Sequence, residues 1–375
     1  MHPTGDAYFL YHSIGQYPGK AADMAAAMTT FADVWGAADD GQWGAVLAQR
    51  QAFIDQWAAL IGADAGTVTT TENVTASLYS LMGALPSNTL KGRKVLVAGD
   101  CFPSVHFLLA GLAPRLGFDL VTVPLRQGAT WAEDEDIIAH WTPDVGVALL
   151  TWVSSTSSHR SDIAALVAHG RAQGTVMGVD LTQAVGLLPF DVQAPEVDFA
   201  ISTSLKWMCG APGAGILYVK PALIADSHPE FRGWFSQPNP FSWDFDKFTY
   251  APDIRRFDNG TPGVVAALAS LPAMNWLMAQ DRPSILAHNR SLTSQILVGV
   301  DAMGLPLVCP RDAGQRGGSI MVRLPDRVAA ADVLARFRAA NVFADARSQT
   351  LRLSPGIMTT AAGVDRMLSV LAQAL

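Results

Sequence analysis

Short apolar segments alternate with helix-patterned segments between residues 67 and 219, and this alternation restricts the possible folds more than any other feature of the chain. The segment 145–152 is apolar at nearly every position, which is typical of a strand with both faces buried. Such strands belong to mainly parallel sheets that are covered by helices. The sequence therefore predicts an α/β fold with strands at 67–71, 94–98, 119–123, 145–152, 176–180, 197–202 and 215–219 and helices at 73–85, 103–113 and 162–173.

The segments that flank this region have a different composition. Residues 221–262 are rich in proline and contain too many aromatic residues for a disordered linker. Outside the alternating region, the patterns predict helices at 21–35, 43–61, 264–278, 329–340 and 362–375 and strands at 319–324 and 351–353. We therefore predict three parts: an N-terminal arm that is part of a small domain, a large domain, and a linking helix with a C-terminal small domain, at 1–45, 46–262 and 263–375.

Composition and charge narrow the possible partners. The chain of 375 residues has a net charge of −7 and no long basic run, which argues against nucleic acid or an anionic membrane as partner. Half of the residues are hydrophobic and only 16% are charged, which favours surface hidden in an oligomer, although a large monomer would also have a low charged fraction. The three cysteines are widely spaced, and the N-terminus has no cationic segment followed by an apolar one. We therefore expect a soluble cytoplasmic protein without disulfides or a metal site.

Lys206 is the first candidate functional residue, because it lies between two predicted strands and before a glycine-rich turn. Gly210, Gly213 and Gly215 would allow the backbone to pass close to a bulky ligand. A lysine that is removed from water loses proton affinity and becomes an amine nucleophile towards an aldehyde. The stretch therefore indicates Schiff-base chemistry. The alternative is that Lys206 ends a strand and reaches solvent while the glycines form an ordinary hairpin.

Polar residues at other strand ends are further candidates. Asp180 ends a predicted strand, where ligands of parallel sheets bind, although it could instead cap a following helix. Gln183 would lie near Asp180 if a helical turn follows, or it is exposed to solvent. Thr75, with Asn73 and Val74, lies at a strand-to-helix junction, where free amides and the helix dipole favour a phosphate. The alternative for this junction is a plain helix cap.

Several separated motifs resemble one enzyme family in order and spacing. The segments 203–207, 210–215 and 178–186 resemble those of class V of the fold type I pyridoxal phosphate enzymes, and the motifs are most similar to those of kynureninase. The resemblance extends from about residue 60 to the C-terminus. It implies pyridoxal 5'-phosphate as cofactor. It also implies a large domain, which binds the cofactor, with a mostly parallel seven-stranded sheet, and a small α+β domain.

The resemblance assigns roles around the cofactor ring. It implies that Lys206 is the Schiff-base lysine and that an amino acid displaces it from the imine, so that the freed amine removes the α-proton. Asp180 is expected to keep the pyridine nitrogen protonated, which makes the ring an electron sink. Gln183 is expected to donate to the phenolic oxygen. Phe102 is expected to stack on the ring, whereas from the residues alone it is a core aromatic at the start of a helix.

Other residues are expected at the phosphate and at the substrate. Arg352 is expected to bind the substrate carboxylate, because a planar guanidinium allows two parallel hydrogen bonds. The threonine of the Gly-Thr-Pro segment reaches the phosphate of the neighbouring subunit in the family, which implies an obligate homodimer with shared active sites. Without the resemblance, Trp234 is an interface or core aromatic and Arg352 is an exposed strand residue. The residues expected at the phosphate are Val74, Thr75, Thr203, Ser204, Trp234 and Thr261.

Three positions depart from the kynureninase pattern. Leu205 stands where that family has tyrosine, Gln183 where it has histidine, and Val105 where it has aspartate. All three changes remove an ionisable group near the cofactor. The segment 342–347 also lacks the cysteine that the desulfurase branch uses, so sulfur transfer is disfavoured.

These departures lead us to predict an enzyme of the class V aminotransferase type, which transfers the amino group of an amino acid to a keto acid. The first alternative is a kynureninase-like hydrolysis of a carbon–carbon bond in an aromatic amino acid. The second is a catalytically silent protein that retains the fold as a binding module. The aromatic residues of 231–250 favour a large or aromatic substrate side chain, or belong to a dimer interface.

Overall fold

The computed structural model describes residues 5–375, and it contains a large and a small β-sheet with helices around them. The bounds in chain order are α1 (Lys20–Trp35), α2 (Gln42–Ile61), β1 (Val68–Thr71), α3 (Val74–Met82), α4 (Ser87–Leu90), β2 (Lys94–Ala98), α5 (Pro103–Leu116), β3 (Asp119–Val123), α6 (Asp134–Ala139), β4 (Val145–Thr151), α7 (Ile163–Ala172), β5 (Val176–Asp180), β6 (Phe199–Thr203), β7 (Gly215–Val219), α8 (Pro221–Asp226), α9 (Val265–Met278), α10 (Arg282–Ala302), β8 (Ile320–Arg323), α11 (Ala330–Ala339), β9 (Asp345–Arg347), β10 (Thr350–Leu353) and α12 (Ala361–Ala374).

The large sheet has seven strands in the order β1-β7-β6-β5-β4-β2-β3. Strand β7 runs antiparallel to both of its neighbours, β1 and β6, whereas the other neighbouring strands pair in parallel. The predicted α/β fold with a mostly parallel seven-stranded sheet is therefore confirmed. The pairing of β6 with β7 also means that the turn with Lys206 connects two antiparallel neighbours.

Both faces of this sheet are buried, as the continuous apolar runs predict. In β4, Ala148 and Leu150 pack on one side with α2, α7 and α9, whereas Val147 and Leu149 pack on the other side with α3 and α5. In β5, Gly178 has no side chain because the ring of Phe199 on β6 occupies that space: a Cβ atom would lie 1.9 Å from it. Two apolar layers thus hold the sheet in place and position its carboxyl edge.

The small domain is built around a three-stranded antiparallel sheet in the order β8-β10-β9. Helices α10, α11 and α12 pack around this sheet, and the N-terminal arm adds two parallel bridges, from Tyr8 to Phe343 and from Leu10 to Ser354. Helix α1 packs on α9, and its apolar residues join those of α2. The arm therefore pairs with residues of the C-terminal part, while the predicted division into three parts at 45 and 262 stays a prediction.

The longest helix, α10, was not predicted from the sequence. Its buried face carries Asn289 and Thr293 among apolar residues, so the apolar stripe that identifies a helix is interrupted. Asn289 is buried because its amide nitrogen donates to the carbonyl oxygens of Gly318 at 2.9 Å and Pro355 at 2.8 Å. Across residues 5–375, none of the helices is sufficiently long and apolar to traverse a bilayer.

Candidate active site

A cavity of about 710 Å³ opens at the carboxyl edge of the large sheet. Thr151, Asp180 and Thr203, which end β4, β5 and β6, contribute to its floor. Ligands of open α/β sheets bind at this edge, and the volume is in the usual range for a small-molecule site. The lining residues are Asn73, Val74, Thr75, Ala76, Tyr79, Phe102, Ser104, Leu108, Thr151, Val153, Ser155, Asp180, Thr182, Gln183, Thr203, Leu205 and Lys206.

Lys206 enters this cavity from a compact turn between β6 and β7. The amide of Ser204 donates to Ala214 at 3.0 Å, and that of Gly210 donates to Ser204 at 2.7 Å. Gly210 is required here, because a Cβ atom would lie 2.7 Å from that of Ser204. The N-terminal arm fixes the other side, since the amide of Gly15 donates to Leu205 at 2.9 Å. The turn therefore holds the lysine backbone rigidly from two directions.

The environment of Lys206 makes its amine a nucleophile. Burial is the main cause that lowers its pKa to about 8, the positive charge of Arg352 lowers it further, and the carboxylate of Asp180 opposes both effects. The Nζ atom lies 5.4 Å from the centroid of the Phe102 ring. About a tenth of the amine is therefore neutral at pH 7, which is far more than for an ordinary lysine.

The lowered pKa predicts how the apoprotein reacts with pyridoxal phosphate. Only the neutral amine attacks an aldehyde, so the rate of holoenzyme formation is expected to rise with pH and to level off above about 8. An amine with an ordinary pKa would continue to gain reactivity up to about pH 10. Stopped-flow absorbance of the cofactor between about pH 6 and about pH 10 measures this profile. A rate that still rises steeply above about pH 9 would contradict the assigned environment.

Asp180 lies at the floor of the cavity and does not cap a helix. Its Oδ1 accepts the amide of Thr182 at 2.9 Å, and the chain continues into turns rather than a helix. Burial raises the pKa of Asp180, and hydrogen bonds from Thr182 and the charge of Lys206 act in the opposite direction. Gln183 is buried in the same wall, where its Nε2 donates to the carbonyl oxygen of His12 at 3.2 Å. The solvent-exposed alternative for Gln183 is therefore wrong.

Helix α3 directs its N-terminus at the cavity. Asn73 is the cap, since its side chain accepts the amide of Ala76 at 3.0 Å. The amides of Val74 and Thr75 precede the first intrahelical hydrogen bonds, so they remain available for an anion. The cap and the predicted phosphate site therefore coexist here, with Asn73 as cap and Thr75 in the wall.

Phe102 provides an apolar face to the cavity. It precedes α5 and remains 40% exposed, so it is not the core aromatic of the alternative interpretation. Its ring stands close to Lys206, which is where a planar cofactor attached to that lysine would lie. The position is compatible with the predicted stacking.

Three residues predicted at the phosphate lie outside this cavity within one chain. Ser204 is wholly buried, and its hydroxyl accepts from Trp57 at 3.1 Å and donates to Ala214 at 2.9 Å. It is therefore not available as a phosphate ligand, and that prediction is corrected. Trp234 packs against aromatic neighbours instead, with its ring centroid 4.6 Å from that of Phe235.

Thr261 lines a second cavity, of about 570 Å³, whose wall includes Arg50 and Asp258. Ala76 of α3 borders both cavities, so the two are neighbours. Within one chain, Thr261 thus does not reach the Lys206 cavity, and its role at the phosphate of a neighbouring subunit stays a prediction.

Arg352 is buried behind the cavity wall, with 6% of its surface exposed, so the exposed-strand alternative is wrong. Its Nε donates to Oδ1 of Asp345 at 2.8 Å, and its Nη2 donates to Oδ2 of the same carboxylate. Its Nη1 lies 3.5 Å from the carbonyl oxygen of Ser155, which lines the cavity. Arg352 is therefore adjacent to the site although it is not part of its surface.

Several residues that line the cavity were not predicted from the sequence. Tyr79 follows Thr75 by one helical turn on α3, and this i, i+4 spacing could have identified it. Thr182 follows Asp180 by two residues and lines the cavity beside it. Ser155 lies in a loop after β4, where no local pattern marks it. Tyr79 and Thr182 could thus have been predicted from their spacing to Thr75 and Asp180, whereas Ser155 could not.

The comparison with protein families decides what kind of site this is. A family model described as aminotransferase class V matches residues 49–367. The chain belongs to the class V aminotransferase family. This membership confirms the predicted family and, with it, the predicted cofactor, pyridoxal phosphate.

Curated relatives support a position near kynureninases within this family. A kynureninase of Deinococcus radiodurans is 30% identical over 274 residues, which are 72% of this chain and 64% of that protein. A kynureninase of Xanthomonas axonopodis pv. citri is 27% identical over 370 residues, 93% of this chain and 86% of that protein. An aminotransferase of Bacillus subtilis described as uncharacterized is 24% identical over 319 residues, 85% of this chain and 82% of that protein.

Solved structures share the fold at low sequence identity. The apo structure of a cysteine desulfurase from Thermococcus onnurineus has a TM-score of 0.85 and 18% identity, and covers 98% of this chain and 94% of its own. A variant of the protein C-DES with glycine covalently linked to its pyridoxal phosphate has a TM-score of 0.88 and 18% identity, and covers 99% of this chain and 97% of its own. At such identities, the likeness confirms the fold type I architecture alone.

The lining residues fit the chemical parts of pyridoxal phosphate. Lys206 offers an amine for the aldehyde, and α3 offers a helix N-terminus for the phosphate. Asp180 is a buried carboxylate whose pKa is raised by burial, so a cationic ring nitrogen opposite it would stabilise its charged form. Phe102 provides a flat apolar face. The donor set is therefore matched to this cofactor.

Proposed function

We propose that this protein is a pyridoxal-phosphate-dependent enzyme that transfers the amino group of an amino acid to a keto acid. The observation that supports this proposal is the small number of ionisable side chains on the cavity surface. Among the described residues, the ionisable ones that line it are Tyr79, Asp180 and Lys206. Transfer of an amino group requires one group that removes a proton and returns it elsewhere, and a lysine with a pKa of about 8 does both near neutral pH.

Each residue of the site has a separate role in this reaction. Pyridoxal phosphate, when bound, supplies an electron sink for the bond that is broken at the substrate α-carbon. Asp180 holds the proton on the ring nitrogen, and the N-terminus of α3 at Thr75 binds the phosphate. Lys206 would accept the α-proton at Nζ and deliver it to a different carbon, on the cofactor, so that the amino group is left there. Arg352 orients the substrate through its carboxylate.

The cavity wall supports a substrate with a large apolar or aromatic side chain. Leu108, Val153, Leu205 and the rings of Tyr79 and Phe102 line it, so a charged side chain would be desolvated there without a partner. An aromatic side chain would bury apolar area against these groups.

Kynureninase-like hydrolysis is the second candidate, and two observations favour it. The relatives from Deinococcus and Xanthomonas are described as kynureninases. Tyr79 also places a phenol-bearing side chain in the wall, at a different position from the tyrosine that Leu205 replaces. Hydrolysis needs a group that activates water and one that protonates the departing carbon, and Tyr79 is the side chain available for such a role in addition to Lys206.

We further propose a homodimer with shared active sites. Trp234 and Thr261 lie outside the cavity of their own chain, which supports a role towards a second copy. The adjoining segment carries aromatic side chains that are largely exposed in the single chain, with Trp243 77% and Phe245 95% exposed. An interface would cover such a patch.

A substrate panel distinguishes the candidates. The purified holoenzyme is incubated with aromatic amino acids, with and without a keto acid, and with kynurenine. Exchange of the amino group that depends on the keto acid supports the transferase, whereas release of anthranilate from kynurenine without a keto acid contradicts it. The Tyr79→Phe variant is expected to keep transfer within about threefold and to lose hydrolysis by about a hundredfold or more. A holoenzyme that turns over none of these substrates would favour the binding module.

A further inference from the structure

Arg352, the residue proposed to bind the substrate carboxylate, binds a carboxylate of the protein with one edge of its guanidinium. Asp345 on β9 accepts from Nε at 2.8 Å and from Nη2. A guanidinium has five N–H groups, and this bidentate contact occupies two of them. Nη1 donates to the carbonyl oxygen of Ser155 in the cavity wall at 3.5 Å, so one N–H of Nη1 and the outer N–H of Nη2 remain. The internal carboxylate therefore leaves the cavity-side edge available.

Asp345 also contacts a histidine from the opposite end of the chain. His12 of the N-terminal arm is buried, and its Nε2 lies 3.0 Å from Oδ1 of Asp345. Its Nδ1 lies 2.7 Å from the hydroxyl of Ser354. Nε2 forms no hydrogen bond of normal geometry within residues 5–375, so its approach to Asp345 is a close contact rather than a donated bond. His12 thus packs against the carboxylate that accepts from Arg352.

The charge states near neutral pH agree with this arrangement. Burial alone would raise the pKa of Asp345, but its interactions with His12 and Arg352 hold the pKa well below its usual range. Burial lowers the pKa of His12, so the imidazole is neutral near neutral pH. The trio therefore carries one positive and one negative charge.

The same histidine also contacts the cofactor side of the cavity. The carbonyl oxygen of His12 accepts from Nε2 of Gln183, which lines the wall next to Asp180. His12 thus links the predicted ring site and the predicted carboxylate site through one residue of the arm.

We propose that Asp345, supported by His12, is a positioning residue that presents the free edge of Arg352 to the α-carboxylate of the substrate. This inference rests on the proposed role of Arg352. A long arginine side chain loses rotamer entropy when it is fixed. Because Asp345 already fixes Arg352 in the free enzyme, substrate binding would not have to include that loss. The opposite relation is that Asp345 competes with the substrate for Arg352, in which case removing it would tighten substrate binding.

Binding of 3-phenylpropionate to the holoenzyme, measured by calorimetry, tests the sign of this effect. This probe has a carboxylate and an aromatic group but no amine, so it does not react with the cofactor. Asp345→Asn is expected to raise its dissociation constant about tenfold or more, and Asp345→Glu is expected to restore part of the affinity. Asp301→Asn is the matched control, because Asp301 makes a bidentate pair with Arg311 on the exposed surface of the small domain.

The separate effects on KM and kcat distinguish a positioning role of Asp345 from that of a purely structural ion pair. With the amino acid that the enzyme turns over, Asp345→Asn is expected to raise KM with kcat changed less than about threefold. A lower melting temperature with a parallel loss of kcat would indicate a structural role and overturn the inference. Unchanged or tighter binding of 3-phenylpropionate to the variant would overturn it as well.

A third variant separates this inference from the proposed function. If Arg352→Gln abolishes binding of 3-phenylpropionate while Asp345→Asn does not weaken it, the role of Arg352 stands and the positioning role fails. If Arg352→Gln binds as well as the wild type, or the wild type itself does not bind, the proposed carboxylate site fails and the inference fails with it.

Discussion

Replacing Lys206 by alanine is expected to lower kcat by about a thousandfold or more, the largest effect of any single change in this protein. The variant loses both the amine that attaches the cofactor and the base that moves the α-proton. It is expected to fold at least as stably as the wild-type apoprotein, because burial lowers the pKa of Lys206 and its charge is therefore destabilising there. Turnover of the substrate identified in the panel and thermal unfolding of the apoprotein measure the two effects.

Lys91→Ala is the matched control for this prediction, because that lysine is exposed and lies outside the cavity. It is expected to retain full activity. Borohydride reduction of the holoenzyme followed by peptide mass mapping is expected to find the cofactor adduct on Lys206. An adduct on Lys91, Lys94, Lys220 or Lys247 instead, or no adduct at all, would show that the assignment is wrong.

Replacing Asp180 by asparagine is expected to lower kcat by about a hundredfold or more. The amide can still accept the hydrogen bond from Thr182, so the local backbone is retained. It has no charge with which to hold a proton on the ring nitrogen. Because burial raises the pKa of Asp180, the apoprotein is expected to be no less stable after the change, whereas its affinity for pyridoxal phosphate falls.

Asp198→Asn is the matched control for Asp180. Asp198 precedes β6, at the opposite edge of the same sheet, where it pairs with Lys220 at 2.5 Å and accepts the amide of Met177 at 2.8 Å. Its replacement is expected to lower the unfolding temperature while kcat changes little. A loss of activity that is equal in the two variants would mean that Asp180 acts on stability rather than on the cofactor.

Strand ends and helix starts were predictable because they depend on local sequence. The predicted strands 94–98, 119–123, 176–180 and 215–219 agree with β2, β3, β5 and β7 at both ends. Since parallel strands bring their carboxyl ends to one edge, Asp180 and Lys206 could be placed near each other without knowledge of the packing.

Predictions from adjacency along the chain were less successful. Thr203 and Ser204 were both assigned to the phosphate, but successive side chains in an extended segment point to opposite sides. Thr203 lines the cavity, whereas Ser204 turns into the core beneath Trp57. Helix α10 was not predicted for a related reason, because its buried Asn289 is satisfied by partners that are distant in sequence.

By itself, the sequence determined the class of fold, the family, and the lysine, aspartate and helix start that fit the cofactor, because each depends on a short segment and its periodicity. Only the tertiary structure decided which distant residues meet. His12 contacts Asp345, and Arg352 is buried rather than exposed, because the N-terminal arm joins the small sheet through contacts that span most of the chain. Such contacts depend on how whole helices and strands pack together, so local sequence patterns do not predict them.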